Sequence, residues 1–211
     1  MPPSPRKHPM ESTDYYSPTP EGNPDGKGVV PVLQDWGALA PGGVRPKAPA
    51  QVLVDYWSSL LVLSARFDFK VLPGRWYHLY RVRDNWQLSL ISPSEWGARL
   101  PGPYLCDCQL RSDMTWELRF DDLALEDTAL REALAAFFGG FTDSLSSAEA
   151  LEDSLPLYQS NLPYRQRMLA TALSSSLTHS LKLSGLDNVR SHVWLEQLAA
   201  EAAVPGLTLR P

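Results

Sequence analysis

Acid–base chemistry needs two carboxyl groups of unequal proton affinity facing one cleft, and Glu95 and Asp113 are the pair best suited to supply it. Each also has a local reading. Glu95 follows Ser92 at capping-box spacing, and Asp113 sits where an Asx turn between two strands would want it. Cys106 and Cys108 share one face of an extended segment, and with His78 they could in principle bind zinc. A Cys-x-Cys pair with one histidine lacks the fourth ligand and the usual loop spacing, so the thiols read as small apolar core residues and no metal is expected. His78 follows the inward pattern of its own segment. His179 and His192 belong to helical stripes or their flanks, no serine in a nucleophile-elbow pattern accompanies them, and His8 lies in the tail. Gly26-Lys27-Gly28 lacks the spacing of a phosphate loop and follows no strand. No catalytic residue and no cofactor is therefore assigned.

The other chemistry on offer is binding. A curved sheet lined by Trp76, Tyr80, Trp86, Trp96, Tyr104 and Trp116 could hold a planar or apolar molecule, with Tyr80, Glu95, Trp96, Asp113 and Trp116 as its binding residues. The competing reading is that these aromatics fill the core beneath a covering helix.

The elements that must position these residues begin at residue 50. Leu53, Tyr56, Trp57, Leu60 and Leu61 recur at helical spacing up to Arg66 and predict one buried helix. Five segments of period two follow, around Phe67–Val71, Trp76–Val82, Trp86–Leu90, Tyr104–Leu110 and Met114–Phe120, with turn chemistry between most of them. They predict a five-stranded antiparallel meander, with Trp76, His78, Tyr80 and Val82 on its inward face. Between the third and fourth strands, Ser92-Pro93-Ser94-Glu95-Trp96-Gly97 reads as one capped helical turn that aims Trp96 at an end of the sheet. After Phe120 the period is helical again. A stripe from Leu130 to Phe141 follows Asp121-Asp122 and stops at Gly139-Gly140; Ser146-Ser147-Ala148-Glu149 reads as a capping box before a short helix. Pro163 opens a helix with leucines every fourth residue from Leu169 to Leu181, and Val189 to Ala202 forms a last one before Pro205. The fold class is α+β: a small antiparallel sheet packed on a preceding helix, with a helical C-terminal extension.

Composition sets the domain plan and removes several functions. Eleven of the 19 prolines and six of the 13 glycines lie in residues 1–50 without a period, so residues 1–49 read as a mostly disordered arm, mobile over 1–22. Its one apolar island, Val29 to Trp36, is expected to dock on the domain. Residues 50–120 form the helix-plus-sheet module and 121–211 the helical extension. No apolar run reaches the roughly 20 residues of a spanning helix, so a soluble protein with no membrane partner is expected. Residues 116–160 carry ten acidic side chains against Arg119 and Arg131, a balance of −8. An acidic middle with no basic stripe removes the electrostatic term that dominates nucleic-acid binding, which is set aside.

One run is more specific than its parts. The segments Gly74-Arg-Trp-Tyr-His-Leu-Tyr, Leu88-Ser-Leu-Ile-Ser-Pro-Ser-Glu-Trp-Gly and Leu110-Arg-Ser-Asp-Met-Thr-Trp resemble Domain of Unknown Function 2452. Tyr77, Leu79, Tyr80, Ser89, Ile91, Ser92, Pro93, Glu95, Trp96, Gly97, Leu110, Asp113, Thr115 and Trp116 carry the likeness, over residues about 50–120. Asn23-Pro24 is also similar to the family's N-terminal pattern. The resemblance implies a fold and no activity.

These observations favour a noncatalytic protein-interaction or scaffold module over an enzyme. Its partner would be an unknown protein or a second copy, met through the C-terminal helices. The alternative is a small-molecule binder or enzyme using a cleft near Glu95 and Asp113.

Overall fold

A computed structural model describes residue 37, residues 39–157 and residues 162–201. The expectations for the mobile tail and for the docking island at 29–36 lie outside the described residues. Pro49 occupies the first turn of α1 (Pro49–Leu63), where a missing N–H costs nothing. The helix is apolar on almost every side, as one enclosed by other elements must be: Val52, Leu53, Tyr56, Trp57, Leu61 and Val62 are all buried.

The sheet has four strands rather than five: β1 (Trp76–Val82), β2 (Asn85–Ser89), β3 (Tyr104–Leu110) and β4 (Trp116–Phe120), all antiparallel. Phe67–Val71 joins no ladder, and the residue before it makes a single isolated bridge, Arg66 to Gln87. Its alternation comes from side-chain packing, with the Phe69 ring stacked 5.6 Å from that of Tyr77. The strand order is β2-β1-β3-β4, not a meander, because residues 90–103 carry the chain past β1 before β3 pairs with β1. The inward face of β1 is also one residue out of step with expectation. Tyr77 and Leu79 point to the core, and His78 lies on the opposite face, paired across the ladder with Ser89 and Asp107. A strand with large rings at both parities does not reveal its register, and a slip of one exchanges the faces. A bulge opposite Leu79 and Tyr80 lets consecutive residues Leu105 and Cys106 both be buried.

The crossover holds α2 (Pro93–Trp96) with the expected capping box, and Gly97 leaves it at φ 55°. Asp121 and Asp127 cap α3 (Asp122–Glu126) and α4 (Thr128–Ser146) by accepting the amides of Ala124 and Leu130. Gly139-Gly140 does not stop α4. Each glycine costs about 1 kcal/mol in a helix interior, but buried Phe138, Phe141 and Leu145 carry the helix through. Ser146 and Ser147 accordingly belong to its C-terminal turn, where their hydroxyls donate to the Asp143 carbonyl, and a short 3-10 turn occupies Leu151–Ser154. In α5 (Tyr164–Ser184) both the leucines and the small residues are covered within the chain: Ala170, Ser174, Ser176 and Ser180 are buried with Leu169, Leu173, Leu177 and Leu181. Gly185 ends the helix in the left-handed conformation, and α6 (Ser191–Glu201) buries Trp194.

α1 packs against β4 and against α4, α5 and α6, and one hydrophobic cluster runs through all of them. Among the described residues the long helices thus lie to one side of the sheet, and the other face carries only the crossover with its single-turn α2. Residues 39–48 form a strap that joins the β3–β4 turn to the C-terminal half of α5: Gly42 N–H donates to Ser112 O, Ser180 Oγ to Arg45 O, and Lys47 N–H to Ser184 Oγ, each at 2.8 Å. Among the described residues no helix is long and apolar enough to cross a membrane.

Candidate functional site

The sequence-singled residues fall into two separate clusters and the core. The first cluster lies on the helix-free face of the sheet, under the crossover. Glu95 Oε2 accepts the Ser92 amide at 2.8 Å and the Ser92 hydroxyl at 2.7 Å, and these bonds hold its carboxyl below the usual range, with His78 adding a smaller pull. Tyr80 has no exposed surface, and its hydroxyl donates to Ile91 O at 3.0 Å. Burial, reinforced by the Asp107 and Glu95 carboxylates, pushes its phenol up to about 12. Trp96 is half-buried, and its indole Nε1 is enclosed without a hydrogen-bond partner.

Beside them is a group the sequence did not disclose. His78 Nδ1–H donates to Asp107 Oδ1 at 2.7 Å, and the Tyr104 hydroxyl donates to the same oxygen at 2.6 Å. Burial and the Asp107 carboxylate push the Tyr104 phenol up as well. The signal was the β1–β3 register, which needs the strand order to be known first.

The second cluster closes the other end of the sheet. Asp113 Oδ1 accepts the Thr115 amide (3.1 Å) and hydroxyl (2.6 Å), an Asx turn, while Oδ2 accepts from Lys47 Nζ at 2.8 Å. Burial alone would raise its proton affinity, but the bonds from Lys47 and Thr115 outweigh it and hold the carboxyl below the usual range. Lys47 Nζ also meets Asp55 Oδ2 at 2.6 Å, and Asp55 Oδ1 accepts from Gln51 Nε2 (2.7 Å) and Arg111 Nη1 (3.0 Å). Asp55 is 1 % exposed, and through it the network ties the strap, α1 and the β3–β4 turn together.

Glu95 and Asp113 therefore have no polar partner in common, and each is anchored by a backbone N–H. Both are held ionised at neutral pH, so neither is a proton donor there. The six aromatics divide between the two sides of the sheet. Trp86 and Trp116 are buried on the helix side, Trp116 edge-on to Tyr77 at 6.0 Å, while Trp76, Tyr80 and Tyr104 share the helix-free face. Trp116 thus packs in the core rather than lining an open surface. Cys106 and Cys108 stand on the helix side, their sulfurs 3.7 Å apart, and His78 on the other, so the pleat separates the thiols from the imidazole. Burial pushes the Cys108 thiol up, which keeps it protonated and inert.

A third feature is an apolar groove of about 460 Å³ formed by helices outside the sheet. The end of α1 and its C-cap supply Leu60, Leu63 and Ser64 as its floor, α4 one wall, and Pro156 and Leu162, which precede α5, together with Ala170 of α5, the other. The α4 wall is low because Ala136, Gly140 and Ser144, four residues apart, form a row of small side chains flanked by Phe137 and Phe141. A Cβ added at Gly140 would touch nothing within 4 Å. Gly139-Gly140, which reads as a helix stop, is where this groove opens.

Comparison with known proteins bears on the sheet and α1 more than on the groove. No curated protein and no solved structure matched the chain. A family model matches residues 47–133, from the Lys47 that joins both buried carboxylates to the first turns of α4, and stops before the Ala136–Ser144 wall. The model that matches is that of the family described as Protein of unknown function (DUF2452), and it is residues 47–133 of the chain, with α1 and the whole sheet, that are similar to it.

Proposed function

We propose that the protein is a noncatalytic interaction module whose helix-lined groove receives one amphipathic α-helix of a partner protein. The observation that supports this reading is the groove itself: a slot floored by the end of α1, walled on one side by α4 and on the other by Pro156, Leu162 and Ala170, with Ser64 and Ser144 as the only polar side chains among the described lining residues. A helix is the occupant that such a slot suits. Its apolar stripe finds Leu60, Leu63, Phe137 and Phe141, and the small row on α4 allows close axial approach. The two carboxylates that might have carried catalysis are instead engaged in a helix cap and a turn, which weighs against an acid–base enzyme. The C-terminal helices contribute through this slot rather than through the small face of α5, which is buried.

The test is a block placed in the groove without disturbing the core. A Cβ at position 140 meets nothing within 4 Å, so the backbone need not shift to admit Gly140→Trp: the melting temperature should not fall, while the affinity for an amphipathic helical peptide of about 18 residues, roughly the length of α4, drops at least tenfold. Equal binding by the variant would refute the proposal.

A further inference from the structure

We draw no further inference here: the strongest candidate, the side-chain cluster of His78, Asp107 and Tyr104 on the face of the sheet under the crossover, belongs to the site already described, its two donors share one Asp107 oxygen, and nothing in the structure shows what ligand it would take.

Discussion

Removing the Asp55 carboxylate tests the buried network most sharply. Breaking a buried ion pair by deleting one partner costs about 3–5 kcal/mol, because the other charge is left without compensation. Here part of that cost is relieved. Lys47, with a side chain 11 % exposed, retains Asp113 at 2.8 Å, and Arg111, 35 % exposed, retains Glu117 at 3.4 Å. Gln51 loses its acceptor, and a void opens beside α1. We expect Asp55→Ala to cost about 2–3 kcal/mol, a fall of roughly 5–10 °C in melting temperature for a domain of this size. Urea denaturation of Asp55→Ala, Lys47→Met and the double variant gives the pairwise coupling, expected at above about 1 kcal/mol. Additive losses, or a loss under about 0.5 kcal/mol for Asp55→Ala, would show that the strap is held by its backbone bonds alone.

Further outcomes follow from single sites. Asp113 has a depressed folded pKa, so its share of stability is fully present above its unfolded value near 3.8 and is lost as pH falls through the folded one; Asp113→Asn should flatten that acid limb of the stability curve. Tyr80, held neutral to about 12, should be missing from the tyrosine absorbance change near pH 10, and Tyr80→Phe should leave that change undiminished; an equal drop would contradict its burial. Gly140→Ala should stabilise the chain by up to about 1 kcal/mol, since the added Cβ meets nothing and the helix gains propensity; destabilisation on thermal melting would mean the groove is filled. Trp96→Ala should cost about 1–2 kcal/mol by chemical denaturation, below the range for a fully enclosed tryptophan, because its ring is half-buried outside the main cluster.

Local chemistry was legible in the sequence where a few neighbouring residues decide it. The capping box of Ser92 and Glu95, the Asx turn of Asp113 and the Gly185 stop all involve partners within four positions, whereas the stripe helix that Asp121-Asp122 was expected to start is capped by Asp127, Asp121 capping the short α3 instead. Features that need a distant partner were not legible. Whether Tyr77 or His78 faces the helices depends on what covers each side of the sheet, and apolar or aromatic side chains stand at both parities of β1. His78 meets Asp107, and Lys47 meets Asp55 and Asp113, only after the strands and the strap are in place. Gly139-Gly140 misled for a related reason: propensity is a weak local preference, and burial of the phenylalanines around it outweighs two glycines. The groove, built from residues 60, 140 and 170, has no local signature at all.

The central claim is that a partner helix lies between α4 and α5, and side-chain NMR of the full chain locates it most directly. On titration with the amphipathic helical peptide, the methyl signals of Leu60, Leu63, Ala136 and Ala170 should shift together with the rings of Phe137 and Phe141, while Tyr80, Trp96 and His78 on the opposite face of the sheet stay where they are. Shifts confined to Tyr80, Trp96 and His78 would move the binding site to the helix-free face of the sheet and contradict the account.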